Sequence, residues 1–580
     1  MCMDIFKCKS TNQNNKMDGK NMIATVKEFT ENTSAHGCGQ IPTSKFKLTK
    51  FLWGLIFVGF FMFATISSVN LITIYFTFPT KDVVSVNFED IEFPAVTFCT
   101  QQPVTATALI DFIDNQSHRD DAIGKLVLTM GSFPGMLVKP NIGGLGDWYF
   151  KYSYRFLSNQ FVFENLDKKD LKTIQHDLKS LKISCKFKGH PCKDSAFVVH
   201  QDGGFQHCFT FNGAGAQLND TKVIKADPTS GLSLILFVDA YTTKRDLSEL
   251  TLYNPFDPTS GQSGVRVIIH SPKTRPMPFE KGFDIPTGFS TSVALKETKR
   301  ELMTEPHGNC TMAKFNGGTN YAYSEDTCLE QCKQKILIEN CRCMSSLLPT
   351  PSGELKPQYC GKVNVTNMFT MMYGKLDATM RGIAVKELEM LDCETKLMES
   401  LGNSEVLNKC ECKKPCVHTN YVKMLSQAVW PSDYNQKNFL AESINMSDPT
   451  QRATILFEGL DIGQITKNES EMIQKNFLRF NVYFESLQVK TTSQVEDFPA
   501  STLISEIGGN MGFYVGISII TLMEMLTLTG AIILYCFKDL IIKCGQSNTT
   551  KVPDVNIKQI KSYDNHMDED KENINAEIHG

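Results

Sequence analysis

Ile507–Met523 reads IGGNMGFYVGISIITLM, an uncharged stretch closed by Glu524, after which apolar residues resume through Phe537. As one helix these ~31 residues would extend about 46 Å at 1.5 Å per residue. A hydrocarbon core is only ~30 Å thick, so such a segment must tilt, protrude or break. Gly508, Gly509, Gly512 and Gly516 thin one face, and Gly516-Ile517-Ser518 is the expected break. Unwound backbone at membrane depth is tolerated only where it lines water or is buried in protein. Its freed carbonyls can then replace part of an ion's hydration shell. The alternative use of the same glycines is a small-residue face for helix packing. On continuous helical geometry Glu524, slightly more than two turns past Gly516, shares its face. A carboxylate there faces water, or is kept neutral by burial or paired to a neighbouring helix.

A second apolar stretch, Phe51–Thr80, stands near the other end of the 580-residue chain. Lys45, Lys47 and Lys50 precede it, and Lys538 and Lys543 follow the later span. Glu496, Asp497 and Glu506 lie on the opposite flank, so charge places both termini in the cytoplasm, with the first span an uncleaved signal-anchor. The expected order is a cytoplasmic N-terminus (1–50), a first span (51–76), an extracellular cysteine-rich domain (77–502), a second span (503–537) and a disordered cytoplasmic tail (538–580). A net charge of -4 gives no nucleic-acid signal.

Of 19 cysteines, 14 lie between the spans, an even number suited to disulfides in an oxidising compartment. Zinc is the rival use of Cys341-x-Cys343 and Cys410-x-Cys412-x3-Cys416, but ligand histidines at matching spacing are missing. Sequons at Asn115, Asn219, Asn309, Asn364, Asn445 and Asn468 fall in the same region as glycosylation candidates. Val84, Val86 and Phe88 alternate as a half-buried strand, and Leu171, Ile174, Leu178 and Leu181 predict one amphipathic helix over Lys168–Leu181. Leu232–Val238, Val265–Ile269 and the alternating Phe480, Val482 and Phe484 read as strands, and residues 1–50 read as irregular. The fold class is therefore an α+β membrane protein: two transmembrane helices and a large disulfide-rich extracellular domain whose strands feed into both spans.

Glu506 through Ser518, with Glu524 beyond it, resembles the second span of degenerin/epithelial sodium channels. His36-Gly37, Phe93-Pro94-Ala95-Val96-Thr97-Phe98-Cys99, Cys208-Phe209-Thr210-Phe211-Asn212, Gly231-Leu232-Ser233-Leu234 and Trp430-Pro431-Ser432 agree in order. Within that family, Asn476–Tyr483, Gly264–His270 and the Gly-Ile-Ser form are similar to the peptide-gated (FMRFamide-type) sodium channels of invertebrates. Acid-sensing channels are the next resemblance. It implies a homo- or heterotrimeric sodium channel of the plasma membrane, not an enzyme, with no cofactor, sodium as the permeant ion and amiloride as a blocker.

By that resemblance Gly516, Ile517 and Ser518 form the selectivity filter and Glu524 a lower ring of three carboxylates. His36 and Gly37 form a re-entrant turn that affects gating. Thr502 takes the position where a bulky side chain holds the channel open. The family order implies the pairs Cys99-Cys208, Cys185-Cys192, Cys310-Cys416, Cys328-Cys412, Cys332-Cys410, Cys341-Cys393 and Cys343-Cys360. Two departures bear on the stimulus: Pro79-Thr80 replaces a His pair seen in acid-sensing relatives, and His307 replaces an aromatic residue. The expected stimulus is an extracellular peptide; the stretch between Gln101 and Lys182 is one location for its site, but no residue there announces it. Protons, mechanical force or constitutive opening are alternatives on the same pore. A non-conducting two-span receptor and a two-span ATP-gated channel are the rivals from other classes.

Overall fold

The computed structural model describes residues 24–114, 159–241, 262–313, 321–351, 356–364, 378–402, 409–444, 453–454, 457 and 465–545. The sequons at Asn115 and Asn445, most of the stretch between Gln101 and Lys182, and the tail beyond 545 lie outside the described residues. Two compact units emerge: Met1–Thr77 with Phe498–Gly580, and Phe78–Asp497.

In the larger unit, Phe289–Glu301 is the longest-paired strand, and it serves three partners. Along one edge it runs antiparallel to Val417–Val429, from Phe289↔Val429 to Glu301↔Val417. Along the other it runs parallel first to Phe477–Phe484 and then to Gln488–Glu496. Leu232–Phe237 and Lys182–Phe187 continue this eight-stranded sheet beyond Phe477–Phe484. Phe480, Val482 and Phe484 are buried as their alternation predicts.

A five-stranded sheet (Phe283–Pro286, Gly264–His270, Ala95–Thr100, Gln206–Phe211, Phe197–Asp202) shares the same apolar core. Phe98 bridges them by packing edge-on against Phe480, ring centroids 6.1 Å apart, while its neighbour Phe209 in its own sheet lies tilted at 5.8 Å. Sulfur–sulfur bonds join Cys99 to Cys208, Cys185 to Cys192, Cys310 to Cys416, Cys328 to Cys412, Cys332 to Cys410, Cys341 to Cys393 and Cys343 to Cys360. Cys99 and Cys208 are also directly opposite one another in the sheet. The helix Glu325–Cys341 starts at Ser324, whose hydroxyl accepts from the Thr327 N–H.

Three local readings change. Lys168–Leu181 is two helices, Lys168–Ile174 and Leu178–Leu181. Gln175 bridges Val104, His176 meets the Gln102 carbonyl at 2.9 Å, and Asp177 caps the second helix by accepting from Ser180 N–H. Tertiary partners thus take the backbone that a continuous helix needs. Thr80–Phe88 is a strand, the outermost of its sheet, but Val84, Val86 and Phe88 are exposed, because none of the described residues covers the face they share. Residues 24–32 are helical and a short helix follows at Gln40–Thr43, where the sequence reads as irregular.

In the smaller unit, Lys47–Tyr75 is a 29-residue helix, beginning at Lys47 rather than Phe51, and its most apolar 18-residue window has mean hydropathy 2.1. It is long and apolar enough to cross a membrane. Ala500–Val515 and Ile519–Gly545 form a bent pair that meets the same criterion if taken as one broken span. The first half begins at Ala500 rather than Leu503 because Pro499 precedes it, a residue suited to helix starts. Phe60 and Phe63 pack on Tyr514, at centroid distances of 6.2 and 4.9 Å.

Candidate functional site: the break in the second span

Helix Ala500–Val515 ends because Gly516 adopts a left-handed conformation, φ +72°. An L side chain is strained there, whereas glycine is not. The Gly516 and Ile517 N–H groups turn back to the carbonyls of Gly512 and Met511. Ile519–Gly545 then leaves at 78° to the first half. Ser518 starts it: its hydroxyl accepts from Thr521 N–H at 3.3 Å, and its carbonyl accepts from Leu522 N–H. Among the described residues no backbone N–H bonds to the carbonyls of Gly516 or Ile517. Two peptide oxygens at the break are therefore uncommitted.

The segment before Lys47–Tyr75 closes on this break. Gly37, at φ +81°, turns the chain beside Trp53 and Phe57. His36 donates its backbone N–H to the Val515 carbonyl at 2.9 Å, and its ring lies against the Gly516 Cα hydrogens. Farther along the second helix, Glu524 Oε2 accepts from Thr33 Oγ1 and Ser34 N–H, both at 3.0 Å, and from Ser34 Oγ at 3.3 Å. Gly516, His36, Gly37 and Glu524 are thus brought together, while Thr502 lies half-buried in the first turn of the preceding helix.

The shared helix face expected for Gly516 and Glu524 does not exist, because the break lies between them. Their proximity to one another comes through 33–37 instead. Thr33, Ser34 and Thr521 were not legible as site residues; single hydroxyls in a Thr/Ser-rich background carry no spacing signal. Thr521 is nonetheless completely buried.

The larger unit holds a separate buried ionisable cluster. Arg275 Nη1 contacts Glu330 Oε2, with both side chains at or below 10% exposure. Burial pushes Glu330 up to about 7 despite the pull of Arg275, with Glu280 and Asp202 adding to the rise and Lys333 opposing it. Burial, with Arg275 and His270 beside it, lowers His200 to about 3. His307 packs its ring edge-on at 5.1 Å against Phe78, the first residue of this unit, and its Nε2 lies 3.9 Å from Glu496 Oε1. The imidazole therefore makes a ring contact at a position where the resemblance implies an aromatic residue. Asn219, Asn309, Asn364 and Asn468 are exposed.

The described residues thus combine a bent apolar helix with a glycine break, a packed N-terminal turn and a disulfide-rich α+β unit, and the class they belong to is a family of ion channels. The sequence profile of the family described as "Amiloride-sensitive sodium channel" matches residues 29–528, and the chain belongs to that family. It is 28% identical over 560 residues to the FMRFamide-activated amiloride-sensitive sodium channel of Cornu aspersum, covering 89% of this chain and 84% of that one. Acid-sensing ion channel 2 of Danio rerio is 24% identical, covering 82% and 76%. Acid-sensing ion channel 1 of Gallus gallus is also 24% identical, covering 86% and 82%.

Proposed function

We propose that this chain forms a sodium-selective channel of the plasma membrane, assembled as a homo- or heterotrimer and opened by an extracellular neuropeptide of the FMRFamide type. The observation that carries the pore is the left-handed Gly516 break with the uncommitted carbonyls of Gly516 and Ile517. Carbonyls so released at membrane depth can partly dehydrate a cation. Glu524 serves as the lower carboxylate of the path; its three hydrogen bonds all end on Oε2, and Oε1 is the oxygen offered to ions. His36 and Gly37 hold the break from below and so act on gating. Both termini are cytoplasmic, and amiloride blocks the open pore.

The peptide stimulus rests on similarity to the Cornu aspersum channel, which is named for its FMRFamide activation. A ligand opens the channel only by binding the open state more tightly. Protons are the second reading, favoured by Glu330 being raised to about 7 at a buried ion pair. Voltage clamp of cells expressing this chain alone separates them, with exposure first to about pH 5 and then to a panel of RFamide peptides. Peptide-evoked, amiloride-blocked sodium current is expected. Acid current without any peptide response overturns the ligand assignment, and unchanged ion selectivity after substituting Ser518 and Glu524 overturns the pore assignment.

A further inference from the structure

We propose that Thr521 is a positioning residue that aims the Ile517 carbonyl, and that Ser34 of the N-terminal segment sets the hydroxyl of Thr521 for that task; this rests on reading Gly516–Ser518 as the filter.

The argument begins with the peptide plane. Ile517 C=O and Ser518 N–H belong to one planar, trans unit, so fixing the N–H fixes the carbonyl in the opposite direction. The Ser518 N–H donates to Thr521 Oγ1 at 3.1 Å. The Ile517 carbonyl therefore points away from Thr521, and among the described residues no backbone N–H holds it from the other side. Thr521 is completely buried and donates its own N–H to Ser518 Oγ, which locks both residues at the helix start.

The direction of the hydroxyl protons follows from Glu524. A carboxylate only accepts. Ser34 Oγ donates to Glu524 Oε2 at 3.3 Å, and that hydroxyl has no second proton. Its 2.5 Å contact with Thr521 Oγ1 is therefore made by the Thr521 proton. With its proton turned toward Ser34, Thr521 presents a lone pair to Ser518 N–H. One ordered chain results, from Ser518 N–H through Thr521 and Ser34 to Glu524. Without Ser34 the Thr521 hydroxyl is free to rotate its proton toward Ser518, where it would oppose the N–H.

The test is the sodium-over-potassium permeability ratio from bi-ionic reversal potentials, with surface protein measured in parallel. Thr521→Val keeps the shape and removes the hydroxyl; the ratio should fall about fivefold, what one neutral hydrogen bond is worth. Thr521→Ser should restore it. Ser34→Ala, outside both apolar helices, should shift the ratio in the same direction by a smaller factor. If Ser518→Val changes the ratio while Thr521→Val and Ser34→Ala do not, the positioning role is wrong and the filter reading stands. If Ser518→Val also leaves it unmoved, the filter reading itself fails. Should Thr521→Val not reach the surface, Ser34→Ala decides: a shift supports the chain of hydroxyls, and an unchanged ratio overturns it.

Discussion

Gly516→Ala is the substitution that probes the break most directly. A Cβ built on Gly516 would lie 2.4 Å from both Cγ and Nδ1 of His36 and 2.9 Å from its Cβ. These are near-backbone atoms of the histidine, so a rotamer change does not clear them all. The residue would also be held at φ +72°, where an L side chain costs about 1–2 kcal/mol. Overpacking at a tight contact adds about 1–3 kcal/mol. Together the docked turn loses about 2–5 kcal/mol, and at 1.4 kcal/mol per tenfold the undocked population rises about 30-fold to a few thousand-fold. Cys38, a half-buried free thiol one residue past Gly37, reports undocking through its rate of alkylation. With Cys2, Cys8, Cys536 and Cys544 replaced by serine, Gly516→Ala should raise that rate at least ~tenfold, the half-exposure of the thiol limiting the contrast. In a His36→Ala background the added effect should shrink to the backbone strain and the one remaining 2.9 Å contact with the Cβ of residue 36. An equal effect of Gly516→Ala with and without the His36 ring would refute the contact.

Two further outcomes are expected. Arg275→Met removes the partner of Glu330. Since burial already raises Glu330 from 4.5 to about 7, its charged form opposes folding, and stability declines as pH rises through that window. The variant should lose about 3–5 kcal/mol near pH 8 but much less near pH 5, where the acid is protonated; a pH-independent drop in melting temperature in detergent would contradict this. Thr502→Trp should produce a standing, amiloride-blocked sodium current without ligand, and a silent variant at normal surface density would remove Thr502 from gating.

The sequence was most informative where a long-range physical constraint writes itself locally. Apolar length marks Lys47–Tyr75, alternation marks Phe477–Phe484, and a glycine inside an apolar run marks the break at Gly516. The rest depended on partners distant in the chain. Ser34 and Thr521 are 487 residues apart, and neither belongs to a periodic pattern. The strand Thr80–Phe88 has alternating valines without a covered face, because alternation reports the pleat and not what lies over it. Helical periodicity over Lys168–Leu181 was real, yet Asp177 and the Val104 bridge divided it. Helix-face reasoning for Glu524 failed for the reason that makes the site interesting: the span is not one helix.

The pairing order of the cysteines has a consequence for damage. Every peptide bond from Cys310 to Cys416 is enclosed by the outermost bridge of its group, and every bond from Cys99 to Cys208 is enclosed by another. A protease nick in either stretch leaves one covalent molecule. A nick between Cys208 and Cys310 is enclosed by none of the seven bridges, so it yields two fragments held only by sheet pairing and the shared core. The chain is thus two sealed loops on one open thread, and the thread between them carries Leu232–Phe237, Gly264–His270 and Phe289–Glu301, the strands on which both sheets are built.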